Sequence, residues 1–325
     1  MTTLRLQRYI AFLSVVLFIG KLWAWYLTQS VSILTDALES TVNVIAGFIG
    51  LYSLILASKP RDTNHPYGHG KAEFISAAVE GALIMAAALL ILYESIHQLI
   101  YPEPLKKLDI GIMIVAVTGV ANFAMGQYAI SLGRKQRSLT VEAAGNHLRS
   151  DAYSTAAIIA GLILVFITKW KWLDAGVALV FAVIIFITGY KILRRSLAGI
   201  MDEADVKLLA QVVDVLQQHR RDQWIDLHNL RVIQYGDVLH IDAHMTLPYY
   251  FEVRQAAGEI DSLEELIREQ FGAKVELFIH VDGCASFQCH LCSLKNCPVR
   301  QDPFRQRLDW NMENVMTDSK HGKAI

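Results

Sequence analysis

The chain has 325 residues, of which 53% are apolar or aromatic and only 19% are charged. A soluble domain carries about a quarter charged residues. Its 30 Lys and Arg residues nearly balance 31 Asp and Glu residues, so no basic field favours a nucleic-acid partner. These figures exclude a disordered chain, a disulfide-dense secreted domain and a coiled coil. They indicate a membrane protein joined to a soluble part.

Six apolar windows are long enough to cross a bilayer as helices, for which about 20 residues are needed. They cover residues 9–27, 33–56, 74–100, 110–130, 152–168 with a helical extension back to about 139, and 173–193. No such run follows Arg194. The sequence therefore predicts an all-α six-helix transmembrane domain over residues 1–200.

Basic residues are distributed unevenly over the segments that flank these windows. One side carries eleven of them, namely Arg5, Arg8, Lys59, Arg61, Lys71, Arg134, Lys135, Arg137, Lys191, Arg194 and Arg195. The other side carries four, namely Lys106, Lys107, Lys169 and Lys171. Because cytoplasmic segments carry the excess of Lys and Arg, we expect a multi-pass protein of the cell inner membrane with both termini in the cytoplasm.

The rest of the chain alternates helical and strand-like patterns. Residues 206–219 and 253–271 have helical spacing, while 227–234, 238–247 and 274–281 are typical of strands. The order is αββαβ, which predicts a small cytoplasmic α+β domain over residues 201–283. A Cys-rich tail follows over residues 284–325, and we expect it to be disordered after Asp318.

Two of the apolar windows contain paired polar residues. Glu39 and Asn43 are four residues apart in the second window, and His147 and Asp151 are four apart in the fifth. Each pair lies on one helix face, so two helices can form a four-coordinate site for a divalent first-row ion. The alternative is helix-end capping or hydrogen bonding between helices. Asp36 either lines the way into this site or makes a local hydrogen bond.

Other polar residues allow more than one interpretation. Asp62, His65 and His69 have metal-ligand spacing in the loop between helices two and three, although a solvated basic loop would have the same composition. Lys21 in the first helix is expected to snorkel or contact a polar neighbour. Glu80 in the third could pair across the bundle or relay protons.

All four cysteines lie within a short stretch of the tail. They are Cys284, Cys289, Cys292 and Cys297. A Cys-x-x-Cys pair with two flanking cysteines is typical of a tetrahedral zinc site. The alternatives are free buried thiols or a redox pair, and a cytoplasmic location disfavours disulfides.

Several motifs together resemble the cation diffusion facilitator family of metal/proton antiporters. They are GKL at 20–22, SVSILTDA at 30–37, HPYGHGKAE at 65–73 and HLRSD at 147–151. The resemblance implies six transmembrane helices with a transport site on helices two and five. It also implies a cytoplasmic ferredoxin-like domain that helps to form a homodimer.

The resemblance assigns the family's sites to particular positions. They are a transport site at Glu39, Asn43, His147 and Asp151; a loop site at Asp62, His65 and His69; a cytoplasmic-domain site at His228, His244, His280 and Asp282; and an ion pair between Lys71 and Asp202. Ala257 stands where a further bridging His is expected, and His240, Asp242 and His244 alternate on one strand face. The bacterial zinc exporters of the family have Asp at both helix-two positions. Glu39 and Asn43 therefore leave Fe(II), Mn(II) and Co(II) open beside Zn(II).

These features predict proton-coupled efflux of a divalent transition-metal cation, with Zn(II) as the first candidate. Metal ligands must be deprotonated, so protons and metal compete for the same site. A bundle that exposes the site alternately to each side would let a proton gradient drive metal outward. The alternatives are a metal sensor that does not transport, and an intramembrane metalloenzyme, for which the sequence has no HExxH motif.

Overall fold

The computed structural model describes residues 3–101, 106–136, 139–170, 172–235, 238–272 and 274–322. Six long helices come first: α1 Thr3–Thr28, α2 Val31–Ala57, α3 Ala72–Ile100, α4 Leu108–Gln136, α5 Leu139–Thr168 and α6 Trp172–Ile200. By length and composition, segments of α2 to α6 can cross a membrane, and α1 contributes a shorter apolar stretch over Phe12–Thr28. The prediction of a helical membrane domain is confirmed.

Glycines allow close packing between these helices. A Cβ atom on Gly81 of α3 would lie 2.8 Å from the backbone nitrogen of Leu193 on α6. A Cβ on Gly145 of α5 would lie 2.7 Å from the backbone nitrogen of Ile130 on α4. Helices that associate in membranes use small residues in this way, because close backbone approach strengthens van der Waals packing.

The C-terminal domain has the expected αββαβ order. Its elements are α7 Val206–Gln218, β1 Asp226–Tyr235, β2 Val238–Leu247, α8 Val253–Phe271 and β3 Val275–Gly283. The sheet has the order β1-β2-β3, with β1 and β2 antiparallel and β2 and β3 parallel. The α+β prediction is confirmed.

Alternation along β2 separates the core of this domain from its candidate site. Ile241, Ala243 and Met245 are buried in a core that α7 and α8 complete with residues such as Val212 and Leu263. The intervening residues of β2 lie on the opposite sheet face, because successive side chains of a strand alternate. That face carries the histidines described below.

Two compact units make up the chain. We call them the membrane unit, Met1–Ile55 with Ile75–Leu197, and the C-terminal unit, Leu56–Phe74 with Ala198–Ile325. The sequence placed the loop between helices two and three in the transmembrane domain, whereas in the structure it belongs to the C-terminal unit.

The tail after β3 folds onto the C-terminal domain. A 3-10 helix at Ser286–Leu291 and helix α9 at Met312–Val315 lie within it, and Trp310 and Val315 are buried in the domain core. Residues 319–322 lie in the part of the tail for which the sequence predicts disorder. Lys320 and His321 there bind acidic side chains that composition alone does not reveal. Residues 323–325 lie outside the described residues.

Candidate metal sites

The expected transport residues lie together inside the membrane unit. Asn43 Nδ2 on α2 donates a hydrogen bond of 3.3 Å to Asp151 Oδ2 on α5, and His147 Nε2 lies 3.8 Å from the same oxygen. Glu39 lies one turn before Asn43 on α2. In the described structure Glu39, His147 and Asp151 do not form a cluster with all ligand atoms within 4.8 Å. The helices thus bring Asn43, His147 and Asp151 together, with Glu39 one turn away on α2.

Two cavities adjoin this site, and Asn43 lines both. One, of about 410 Å³, is lined by His147 and Asp151, together with Ser40 and Asn122. The other, of about 880 Å³, is lined by Glu39 and by residues of α3, α5 and α6. Asn43 therefore lies next to both cavities, His147 and Asp151 line the first, and Glu39 lines the second. A metal would require Asn43 to turn its amide so that the oxygen, rather than Nδ2, faces it.

Asp36 does not lie in an open approach to this site. Its Oδ1 atom is 2.8 Å from Lys21 Nζ on α1 and accepts a hydrogen bond of 2.9 Å from Thr155 on α5. The Lys21 and Asp36 side chains are 1% and 2% exposed. Asp36 instead belongs to a buried ion pair that joins α1, α2 and α5. Lys21 also donates to Ser40, so it contacts polar neighbours as expected.

A second buried carboxylate holds the start of α2, and the sequence reading missed it. Asp174, at the start of α6, accepts hydrogen bonds from the Ser30 hydroxyl at 2.8 Å and the Val31 N–H at 2.9 Å. A carboxylate at a helix N-terminus satisfies N–H groups that have no partner within the helix. An Asp in the first turn of an apolar helix was the available signal, but its partner lies more than 140 residues away in sequence. Asp174 thereby anchors the helix that carries Glu39 and Asn43.

The loop residues form a compact cluster. His65 Nδ1 lies 3.0 Å and His69 Nε2 3.3 Å from the two oxygens of Asp62, and the histidine ring centroids are 4.3 Å apart. All three ligand atoms lie within 4.8 Å of one another. Hydrogen bonds to the backbone N–H of His65, at 2.7 Å, and of Asn64 hold the pKa of Asp62 below its usual value. The carboxylate therefore stays ionised and available to a cation.

Sheet register places three histidines in a row across the C-terminal domain. His228 on β1 pairs with His244 on β2, which pairs with His280 on β3. Asp282 Oδ2 lies 3.4 Å from His228 Nε2 and 3.3 Å from His244 Nδ1, and these three residues form a metal-compatible cluster. His280 lies at the edge, 66% exposed and 4.0 Å from Asp282 Oδ1.

Of the three described residues that alternate along β2, His244 belongs to this cluster, whereas His240 and Asp242 do not. His240 Nδ1 lies 3.3 Å from Glu276, and its ring lies near Tyr67 and Phe278. Burial and nearby Arg61 lower the pKa of His240. Within the described residues, the metal-compatible cluster of this domain contains neither His240 nor Asp242.

The tail reaches the cluster from its far end, which the sequence did not predict. Lys320 Nζ lies 3.0 Å from Asp282 Oδ1. His321 Nδ1 lies 2.7 Å from Asp226, whose other oxygen is 3.5 Å from His228 Nδ1. Burial would raise the pKa of Asp226, but its contacts with His228 and His321 outweigh burial and lower it. The tail thus contacts a cluster ligand directly and orients another through Asp226.

The expected ion pair within the C-terminal unit is also present. Lys71 Nζ lies 2.8 Å from Asp202 Oδ2 and 3.3 Å from the carbonyl oxygen of Ile200. Arg61 and Glu276 form a second ion pair between the loop and β3. These contacts connect the loop that carries Asp62 to the rest of the unit.

The cysteines line one cavity of about 440 Å³ beside Tyr249, and all four thiols are free. No three of their sulfurs lie within 4.8 Å of one another in the described structure, so the expected tetrahedral set is not closed. Burial raises the pKa of the Cys284 thiol.

Five helices long and apolar enough to cross a membrane, with a shorter apolar helix before them, define a multi-pass membrane protein in the part of the chain that the structure describes. A family model described as the cation efflux transmembrane domain matches residues 8–201, and one described as the cation efflux protein cytoplasmic domain matches residues 204–284. The chain therefore belongs to the cation efflux family, also known as the cation diffusion facilitators. Members of this family are transporters rather than enzymes, so the metalloenzyme alternative is not supported.

Individual relatives cover most of the chain. An uncharacterised transporter of Synechocystis sp. is 32% identical over 256 residues, which are 78% of this chain and 83% of the relative. The cation-efflux pump FieF of Shewanella oneidensis is 28% identical over 263 residues, or 81% and 88% of the two chains. FieF of Escherichia fergusonii is 28% identical over 275 residues, or 82% and 87%.

Proposed function

We propose that this protein exports a divalent transition-metal cation from the cytoplasm in exchange for protons, with Zn(II) as the first candidate and Fe(II), Mn(II) and Co(II) as competitors. The observation that carries the proposal is the meeting of Asn43, His147 and Asp151 beside one cavity of the membrane unit, with a second cavity lined by Glu39 and Asn43. Glu39 completes the set. Its two carboxylates offset part of the cost of dehydrating a divalent ion among apolar helices.

Proton coupling follows from the ligand chemistry. His147 binds metal only through a neutral imidazole nitrogen, and Asp151 only as a carboxylate. Protons and metal therefore compete for the same ligand atoms. When metal enters, protons leave; when protons return from the other side, metal is released. Alternating exposure of the site to the two sides completes the cycle.

The remaining clusters fit supporting roles. We assign the second cation site to Asp62, His65 and His69, whose ligand atoms are already gathered. A third site at His228, His244 and Asp282, with His280 at its edge, would stabilise a homodimer formed mainly through the C-terminal domain. A domain of about 80 residues has a small core and gains from metal or association. A stable monomer in mild detergent, both with and without metal, would contradict the dimer.

The function is tested by two charge-changing substitutions at the transport site. Asp151→Ala should abolish metal uptake into inverted membrane vesicles, because Glu39 then remains as the only carboxylate. Asn43→Asp should retain uptake and shift ion preference, because it adds charge at the same length. Ser154→Ala is the matched control, since it lines the adjacent cavity on the same helix without changing charge.

Measurements at two pH values separate the outcomes. Wild-type uptake by Asp151→Ala would mean that the ion crosses elsewhere, and the site assignment would fall. Stoichiometric metal binding without flux in the wild type would instead identify a metal sensor on the same scaffold. We place the protein in the inner membrane with both termini in the cytoplasm, as the distribution of Lys and Arg residues favours.

A further inference from the structure

The four cysteines come from successive parts of the tail but share one cavity. Cys284 directly follows β3, Cys289 lies in the 3-10 helix, Cys292 ends that helix and Cys297 lies five residues further on. The cavity that they line also contacts Tyr249 and Ser286. The family match to the C-terminal domain ends at residue 284, so the last three cysteines lie beyond it.

Hydrogen bonds from two neighbouring residues hold the backbone around Cys289 and Cys292 in a turn. Arg300 donates hydrogen bonds to the carbonyl oxygens of Cys289 at 2.9 Å, Cys292 at 3.0 Å and Leu294 at 2.6 Å. The Gln301 N–H lies 3.5 Å from Cys289 Sγ and donates to it. The guanidinium thus satisfies the carbonyl groups of the turn, and the Gln301 N–H supports negative charge on a sulfur.

The structure assigns a resident Zn(II)-like ion to these four cysteines, bound as tetrahedral thiolates, which fastens the tail to the C-terminal domain. In tetrahedral sites with Zn–S bonds of about 2.3 Å, the sulfurs lie about 3.8 Å apart. The cysteine side chains must rotate into the cavity that they line to bring their sulfurs to that spacing. Three tail segments would then be joined to the end of β3 through one ion.

The consequence extends to the far end of the tail. There the Asn229 N–H donates to the Thr317 carbonyl at 2.7 Å, and Lys320 Nζ donates to the Gly283 carbonyl at 2.9 Å. We call residues 317–321 the tail clasp. An ion at the cysteines restricts the chain between residues 284 and 297 and so favours the closed position of the tail clasp. This role is structural and is separate from the transport site.

Metal analysis of the full-length protein, purified under reducing conditions in mild detergent, tests the assignment. Cys289→Ser/Cys292→Ser should lose about one equivalent of tightly bound zinc and, after Co(II) loading, the sulfur-to-cobalt charge-transfer absorption. Ser286→Ala, which changes the same cavity without removing a thiol, should keep both. His228→Ala should keep the charge-transfer absorption, because it removes no sulfur ligand.

Thiol protection in the wild type gives a second test that does not depend on folding of a variant. Zinc-loaded protein should protect all four cysteines from alkylation, and chelator treatment should expose them, with faster amide exchange over residues 310–322. Equal alkylation with and without zinc, or a disulfide in freshly purified protein, would overturn the assignment. Retention of the charge-transfer absorption by the double variant would also overturn it.

Discussion

Replacing Lys21 with Met should destabilise the membrane unit, because it leaves the Asp36 carboxylate buried without its cationic partner. Lys21 Nζ lies 2.8 Å from Asp36 and 3.0 Å from Ser40, and both members of the ion pair are almost fully buried. After the substitution, the Thr155 hydroxyl still donates a hydrogen bond to the buried Asp36 carboxylate, but the charge of that carboxylate is no longer balanced by Lys21. Breaking one side of a buried ion pair costs about 3–5 kcal/mol, because the other charge is desolvated without compensation.

A double-mutant cycle in mild detergent measures this coupling through the free energy of unfolding. Lys21→Met/Asp36→Asn should recover most of the loss, since no isolated charge remains and Thr155 keeps a hydrogen-bond partner. We expect an interaction energy of about 2 kcal/mol or more, within the range for directly contacting residues. A cost below about 1 kcal/mol for Lys21→Met, or additive effects, would refute the reasoning.

Three further predictions concern helix packing and the tail clasp. Gly81→Ala should destabilise the α3–α6 contact by about 1–3 kcal/mol, because the new methyl group meets backbone; thermal unfolding in detergent measures this. Lys320→Gln should raise metal affinity at Asp282 by up to about fivefold, since a partly exposed ion pair is worth about 1 kcal/mol or less; calorimetric titration of the full chain measures this. The hydrogen bond to Asp226 raises the pKa of His321, so its stabilisation is complete below about pH 6.5 and is lost as pH rises through the raised value. Amide exchange over residues 319–322 should therefore accelerate with alkaline pH beyond the intrinsic base-catalysed increase.

The sequence predicted elements well where a periodic pattern decides the structure. Strand alternation around Ile241 correctly gave β2 as residues 238–247, and the extension of the fifth helix back to Leu139 matches α5. The family resemblance assigned His228 and His244 to one site, and the sheet register pairs them across β1 and β2. The short spacing of Asp62, His65 and His69 also predicted that they lie close together, because residues three and four apart in a tight loop are neighbours without help from distant contacts.

Long-range polar contacts could not be predicted in the same way. The partner of Asp174 is Ser30, and the partner of His321 is Asp226, 95 residues earlier. No periodic pattern connects such positions, because tertiary packing determines them. Asp36 is an example. Its spacing from Glu39 suggested that it lines the way into the transport site, whereas in the folded protein its carboxylate forms an ion pair with Lys21.

Metal flux into proteoliposomes that contain the full-length protein tests the central claim most directly. Zn(II), Fe(II), Mn(II) and Co(II) would be compared with and without an acidic interior, while an enclosed dye reports internal pH. We expect Zn(II) uptake to be faster with an acidic interior and to make the interior more alkaline. Asp151→Ala should abolish this uptake. An uptake rate that is the same with and without the pH gradient, with no change in internal pH, would contradict proton-coupled export.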